Sequence, residues 1–261
     1  MKTSLPTLVA VIISAGLLST HAQFGPRGGM NAMSGPQLSG SMAQLFGDHS
    51  TFSAELEIQV TDKASGDTAT VPGKLAYGEA KSRFEMEISR IKGNRMSPEM
   101  AGQMKQMGMD SMIVITRPEK KLSYLVYPGL QAYVEAPLQN TDANQSKSDF
   151  KVETTELGKE TVDGRPCLKN KVIVTDKEGK KLEATVWNAT APELKKFPIK
   201  IETVESGNQV VMLYKEIKLA KPAASQFEPP SGFTKYENMQ TMMQQIMMKQ
   251  FGGGQGLPPQ R

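Results

Sequence analysis

Hydrophobic and polar residues alternate with a period of two along much of the chain. In the run from 52 to 61, apolar residues occupy every second position: Phe52, Ala54, Leu56, Ile58 and Val60. A shorter run repeats the pattern with Phe84, Met86 and Ile88. Because neighbouring side chains of a strand point to opposite faces, each run predicts a strand with one face on a core and one in water.

Turn-forming residues divide the region between 51 and 219 into short segments. Gly, Pro, Asp, Asn and Ser cluster at 65–67, 118–120, 128–129, 163–164, 178–179 and 206–208. Breaks at this spacing, without a long helical pattern between them, predict a meandering antiparallel sheet of about ten strands. The polar segment 138–149 predicts a loop that joins two halves of the sheet. The segment 209–217 is apolar on both faces, which predicts a central or doubly covered strand.

Two segments have a helical pattern instead. Residues 96–109 carry methionines at an i, i+4, i+8 spacing, which predicts a short helix that Gly102 and Gly108 weaken. Residues 234–251 predict a longer amphipathic helix, with Thr234 as a candidate cap at its start. One face of that helix collects the residues Tyr236, Met239, Met243, Ile246, Met247 and Phe251.

The two ends of the chain differ in composition from its middle. Lys2, the apolar run 8–18 and the small residues before Gln23 predict a cleavable export signal over residues 1–22. The run is much shorter than the roughly 20 residues that span a bilayer, so no integral membrane span is expected after cleavage. Residues 23–49 predict a flexible Gly/Pro/Met-rich leader, and residues 252–261 predict a disordered tail. The predicted β domain therefore occupies residues 50–233.

Charge and chemistry exclude several classes of function. The formal net charge is +4, and the charges are interspersed, whereas nucleic-acid binding requires a clustered basic surface. His49 is the one histidine left after signal removal, Cys167 is the only cysteine, and no phosphate-binding glycine loop is present. The carboxylates alternate with Lys and Arg, as on a solvated sheet face. We therefore expect no catalytic residues and no cofactor.

The 17 methionines are the unusual feature of the composition. Three interpretations stay open. Methionine-rich helices can cover an open sheet, or they can line a surface that adapts to varied apolar ligands. Thioether sulfurs also bind Cu(I), and the candidate ligands for copper are Met96, Met100, Met104 and Met107.

Several strand and turn motifs resemble bacterial envelope proteins with the LolA/LolB-like fold. The succession at 197–202, 209–219 and 227–233 reads FPIKIE, QVVMLYKEIKL and FEPPSGF. Further motifs lie at 83–86, 112–117, 122–134 and 158–167, and in the strand that contains Trp187. The resemblance covers about residues 50–236. Within that group, the chain resembles an uncharacterised, secreted branch. It implies a mostly β fold, a strongly curved antiparallel sheet or half-barrel with short covering helices and a C-terminal helix.

The resemblance implies a periplasmic or secreted, non-catalytic binding protein whose concave sheet holds a hydrophobic ligand. A lipid or the acyl chain of a lipoprotein is the expected partner. The inward candidates for ligand contact are Phe52, Leu56, Phe84, Met86, Tyr124 and Trp187. Two alternatives stay open: an envelope structural or protein-interaction module with a filled core, and Cu(I) handling through the methionine-rich segments.

Overall fold

The computed structural model describes residues 38, 40–93, 97–138 and 149–251. The predicted signal, most of the leader, most of the 138–149 loop, Met96 and the predicted tail lie outside the described residues. The described strands are β1 (Thr51–Asp62), β2 (Thr68–Gly78), β3 (Lys81–Glu87), β4 (Lys92–Gly93), β5 (Ser111–Arg117), β6 (Leu122–Tyr127), β7 (Ala132–Pro137), β8 (Lys151–Val162), β9 (Arg165–Thr175), β10 (Lys181–Ala189), β11 (Pro198–Glu205), β12 (Asn208–Lys218) and β13 (Thr234–Tyr236).

These strands form one open sheet in the order β13-β7-β6-β5-β3-β2-β1-β12-β11-β10-β9-β8, and β4 pairs with β2 outside this path. Neighbouring strands pair antiparallel, as the turn spacing predicts, except that β13 runs parallel to β7. In this order two pairs of consecutive strands lie far apart, β7 and β8 and then β12 and β13. β12 pairs with β1 and so joins an N-terminal half to a C-terminal half. The predicted mostly β, antiparallel-rich fold with few helices is thus confirmed.

The two faces of the sheet can be followed through the strand register. Phe52 lies opposite Tyr77, Leu75 opposite Phe84, and Leu56 opposite Tyr214. Side chains that are directly opposite in a sheet share a face, so these residues lie on one face, called here the Phe52 face. The other face is called the Tyr124 face, because Ile115 lies opposite Tyr124 while its neighbour Val114 lies opposite Phe84.

Alternation in the sequence and burial in the structure agree in β1 and β3. Phe52, Ala54 and Leu56 are buried in β1, and Phe84 and Met86 are buried in β3. Gly73 of β2 allows the ring of Phe84 to lie close against the backbone, since a Cβ at this position would lie 2.5 Å from that ring. β5 differs, because every residue from Met112 to Arg117 is buried.

Three helices accompany the sheet in the described residues: α1 (Ser41–Gln44), α2 (Pro98–Gln106) and α3 (Met239–Phe251). α2 lies within the helix predicted at 96–109, and the hydroxyl of Ser97 caps it by accepting a hydrogen bond from the Met100 amide at 3.2 Å. α3 begins five residues later than predicted, because 234–236 form β13. Asn238 rather than Thr234 caps α3, with its Oδ1 accepting from the Thr241 amide at 2.8 Å.

The end of the predicted leader belongs to the folded domain. Leu38, Leu45 and Phe46 are buried, although the composition of 23–49 predicts a flexible segment. The imidazole Nε2 of His49 lies 2.9 Å from the Lys195 carbonyl oxygen, and its ring contacts Phe197. Within the described residues, none of the helices has the length and apolar content needed to cross a membrane.

Candidate functional site

The six residues predicted to contact a ligand are all buried, none of them more than 5% exposed. Four of them lie on the same face of neighbouring strands: Phe52 and Leu56 on β1, and Phe84 and Met86 on β3. β2 lies between these strands and adds Leu75 to the same face. The structure therefore brings together an apolar surface from these four predicted residues on the Phe52 face.

Tyr124 does not join that surface. It lies on the Tyr124 face, in a cluster with Ala76, Ile113, Ile115, Val126 and Phe227. The sequence of β6 carries apolar residues in both phases, so alternation alone did not distinguish the two faces. A ligand on the Phe52 face would be separated from Tyr124 by the sheet itself.

Trp187 also lies on the Tyr124 face, since it is directly opposite Lys200 and Lys169, and Lys200 is opposite Leu213. Its indole Nε1–H donates to Glu160 Oε2 at 3.0 Å, and Lys200 Nζ lies 4.1 Å from the ring centroid. A hydrogen-bonded indole with a cation over its ring is a fixed structural element.

An aromatic cluster fills the middle of the Phe52 face. The ring of Phe52 has three aromatic neighbours, and the distances between ring centroids are 5.0 Å to Phe46, 4.9 Å to Phe197 and 5.4 Å to Tyr77. Tyr214 completes the cluster, edge-on to Phe197 at 5.7 Å. Stacked and edge-to-face contacts at these distances are favourable beyond the burial of area. Phe46 was not predicted from the sequence, although two adjacent large apolar residues, Leu45 and Phe46, just before β1 are a signal of burial.

The helix α3 contacts β7 and β13, the two strands at one end of the sheet. Met242 is fully buried, while Met247 is 50% exposed and Met248 is 70% exposed. Met239, Met243 and Ile246 of the predicted face are half-buried, and Met242, which was not assigned to that face, is the one fully buried side chain among residues 239–248.

A strap formed by residues 219–233 crosses the Tyr124 face over β3 and β5. Phe227 inserts into the Tyr124 cluster, and Phe233 packs against it. Arg117 holds the strap, because its Nη1 donates to the Phe227 carbonyl at 2.8 Å and it forms an ion pair with Glu228. The hydrogen bond from Arg117 holds the pKa of Glu228 below its usual range.

Two clefts lie along β1, β2 and β3. The larger, of about 700 Å³, lies between these strands and the strap, and the smaller, of about 320 Å³, lies beside Arg90, Ser111 and Pro128. Glu55, Lys74 and Glu85 line both of them, and these three residues are directly opposite one another across β1, β2 and β3. Charges of both signs in exposed cross-strand positions are typical of a solvated sheet face.

The described methionines proposed as copper ligands differ in their surroundings. Met100 is exposed, and Met104 and Met107 are half-buried. In the described part of the chain, no group of three or more His, Cys, Asp or Glu side chains is placed to hold a metal ion. Cys167 is buried, and this burial raises the pKa of its thiol.

Comparisons with known proteins give one family match and several structural ones. Residues 74–190 match the model of a domain of unknown function, DUF4412. Comparison with curated protein sequences gave no significant match. The chain is similar to a LolA superfamily protein of Nitrosomonas europaea, with 11% identity, a TM-score of 0.39, and coverage of 71% of this chain and 93% of that one.

Two mycobacterial structures give similar values. The lipoprotein LppX of Mycobacterium tuberculosis has 10% identity and a TM-score of 0.38, with 69% of this chain and 92% of that chain covered. LprF of Mycobacterium bovis has 13% identity and a TM-score of 0.39, with 75% and 99% covered. The LolA superfamily, which the sequence resembles, is thus among the matches.

Proposed function

We propose that this protein is an exported, non-enzymatic binding protein of the bacterial envelope. It receives an apolar ligand, such as a lipid or the acyl chain of a lipoprotein, on the Phe52 face of the sheet. Phe52, Leu56, Phe84 and Met86 supply contacts to that ligand. Tyr124 and Trp187 are left out of the proposed site because they lie on the opposite face.

The observation that carries this proposal is the set of apolar residues that β1, β2 and β3 collect on one face, in a sheet whose β7–β13 end is contacted by the helix α3. Its side chains at 239–248 include one buried residue, Met242, and two exposed methionines, Met247 and Met248. A helix with few buried apolar contacts opens at low cost in free energy. Methionine is flexible and polarizable, so the same residues can pack against an incoming chain as the helix moves.

The dimensions of the covering helices support the same proposal. The helices of the described residues contain 4, 9 and 13 residues, which amount to about 40 Å of helix some 10 Å wide. Strands spaced about 4.8 Å apart along the twelve-strand path extend across roughly 55 Å. Even if all three helices lay on the same face, they would cover about a third of it, so the remaining apolar area needs other cover, from the chain or from a ligand.

Apolar contact alone provides a moderate affinity. Each buried methylene contributes about 0.8 kcal/mol, so a chain of about 14 methylenes contributes about 11 kcal/mol. Association costs about 4–15 kcal/mol in lost freedom of motion. We therefore expect fatty acids to bind reversibly.

Quenching by brominated fatty acid tests which face binds the chain. We would replace the single tryptophan by Trp187→Phe and then introduce one new tryptophan, either Phe84→Trp or its matched control Tyr124→Trp. We expect dibromostearate to quench the tryptophan at 84 saturably, and to leave the tryptophan at 124 bright because the sheet separates it from the ligand. Equal quenching of both, or of neither at saturating ligand, would overturn the proposal.

A second candidate function is an envelope interaction module with a filled core. The observation that favours it is the aromatic cluster around Phe46, which occupies the middle of the Phe52 face. In that case Phe46→Ala creates a cavity and lowers stability, and the wild-type protein binds no acyl probe. The two candidates therefore differ in the quenching experiment, because an interaction module with a filled core would show no quenching of the tryptophan at 84.

A further inference from the structure

Three hydroxyl side chains form a row across the Phe52 face. Tyr77 of β2 lies directly opposite Ser82 of β3, and Ser82 lies directly opposite Thr116 of β5. Tyr77 is also directly opposite Phe52, which places all three residues on the Phe52 face. Tyr77, Ser82 and Thr116 are called here the hydroxyl row.

Within the described residues, the hydroxyl row is buried and has no hydrogen-bond partner. The three residues are 6%, 4% and 7% exposed, respectively. None of their hydroxyls forms a hydrogen bond in the part of the chain that the structure describes. By contrast, Thr203 is equally buried on the same face, and its hydroxyl donates to the Glu183 carbonyl at 3.0 Å.

Buried hydroxyls without partners are rare in native proteins, because each one loses its hydrogen bonds to water and gains none. Three of them in adjacent cross-strand positions are therefore a site for a group that supplies the missing acceptors. Burial also raises the pKa of Tyr77, so its phenol stays protonated and is a hydrogen-bond donor.

The turns next to the hydroxyl row carry more positive than negative charge. Lys81 precedes Ser82, Arg117 follows Thr116, and Lys120 and Lys121 lie in the following turn. Glu79 and Glu119 are the carboxylates of the same two turns. Glu228 of the strap also pairs with Arg117 and Lys120, so the same turns carry four cations against three anions, and Lys81 and Arg117 lie on the Tyr124 face. The preference for an acceptor-rich head group therefore rests on the three hydroxyl donors.

The row also lies at one end of an apolar path. Along β3, Ser82 is followed on the same face by Phe84 and Met86, and along β5 Thr116 is preceded by Val114 and Met112. A strand rises about 3.3 Å per residue, so this apolar path extends about 13 Å from the hydroxyl row. A polar end followed by an apolar path has the shape and polarity of an amphiphile.

We propose that the hydroxyl row binds the oxygen atoms of an anionic head group, a carboxylate or a phosphate, of an amphiphile whose chain lies along Phe84 and Met86. This inference rests on the proposed function and names the class of its ligand. Each hydroxyl donates a hydrogen bond to a head-group oxygen, and a carboxylate or phosphate offers several acceptor oxygens to the row.

The test compares head groups with the same chain. We would measure the affinities for palmitate, palmitoyl lysophosphatidate and the uncharged methyl palmitate by displacement of a fluorescent probe. For Ser82→Ala/Thr116→Val, we expect about a tenfold or larger loss of affinity for one of the two anions, and little change for the ester. A loss confined to palmitate identifies a carboxylate site, and a loss confined to lysophosphatidate identifies a phosphate site.

Thermal unfolding without ligand gives an independent readout. Because Ser82 and Thr116 have no partners to lose, we expect the double variant to melt at the wild-type temperature or above it. The matched control Thr203→Val removes a satisfied hydrogen bond on the same face. It should lower the melting temperature and leave the preference between palmitate and methyl palmitate unchanged.

The outcomes separate the two proposals. If the wild-type protein binds none of the three amphiphiles, the proposed function fails. If it binds all three and the double variant keeps the wild-type preference among them, only the head-group inference is overturned. The same inference is overturned if Thr203→Val changes the preference as much as the double variant does.

Discussion

The strands β5 and β8 belong to the same sheet but differ in how far their side chains are buried. In β5, six of seven residues are buried, three on each face, and Phe227 of the strap packs on the Tyr124 face. β8 is longer, with 12 residues, and nearly all of them are exposed on both faces. β5 lies inside the sheet, and β8 is its last strand. Depth in the sheet order and cover on both faces thus determine how apolar a strand must be.

The exposed strand has features that discourage pairing with other chains. Lys151, Glu153, Lys159 and Glu160 place charges along it, and the register to β9 shifts between Glu156 and Gly158. Edge strands in natural proteins use charges and bulges in this way to avoid aggregation. The comparison indicates that the interior strand β5 contributes to the core on both faces, while the β8 edge is built to stay solvated.

Removal of the strap's anchor is the strongest test of this comparison. Phe227→Ala opens a cavity under the strap, and we expect the free energy of unfolding to fall by about 3–5 kcal/mol. The matched change Leu157→Ala in β8, where the side chain is 53% exposed, should cost less than about 0.5 kcal/mol. Urea denaturation of both variants measures the difference. Similar losses in the two variants would show that cover by the strap does not distinguish these strands.

The sequence predicted the parts of the fold whose signals are local. Strict alternation placed Phe52, Leu56, Phe84 and Met86 on the same face, and the structure agrees because β1 and β3 have one apolar phase. Tyr124 and Trp187 were grouped with them incorrectly. β6 has apolar residues in both phases, and a register shift follows Trp187 in β10, so neither strand has a local signal for its face.

The remaining features depend on contacts between distant segments. Phe46 was assigned to a leader because its surroundings are rich in Gly, Pro and Met, yet it packs on Phe197 in another half of the sheet. The strap covers the Tyr124 face through Phe227, which is 110 residues from its partner Arg117. The hydroxyl row depends on the register of three strands. None of these contacts between distant residues produces a periodic pattern in the sequence.

The ion pairs of the strap should have a smaller effect than its aromatic anchor. Arg117→Ala removes the hydrogen bonds to the Phe227 carbonyl and to Glu119, with the latter at 2.6 Å. We expect a loss of about 2 kcal/mol, because the carbonyl loses its donor while the carboxylates stay partly hydrated. Arg165→Ala, whose partner Asp163 is 3.4 Å away on the exposed edge, should be nearly neutral. Equal effects in a chemical denaturation series would contradict the assignment of Arg117 to the strap.

Acid should weaken the ion pair that holds the strap. The pKa of Glu228 is lowered in the folded protein, chiefly by its hydrogen bond with Arg117. The stabilisation is therefore fully present above the unfolded pKa, near 4.5, and is lost as the pH falls through the lower folded pKa. We expect Glu228→Gln to flatten the pH dependence of stability below that value. The control Glu153→Gln on β8 removes an exposed pair with Lys151, and a curve as flat as that of Glu228→Gln would contradict a special role for the strap.

The smallest effect is expected where β8 contacts Trp187. Glu160 of β8 accepts the indole hydrogen bond, which is the main cause that lowers the pKa of its carboxyl group. Glu160→Gln keeps an acceptor and removes the charge, so stability should change little because the carboxyl group is exposed. The emission of Trp187, the only tryptophan in the chain, should respond to acid in the wild type and lose that response in the variant. If the variant keeps the acid response, the hydrogen bond between Glu160 and Trp187 is not its cause. The contact of β8 with Trp187 would then be absent in solution, and the edge would be solvated along its full length.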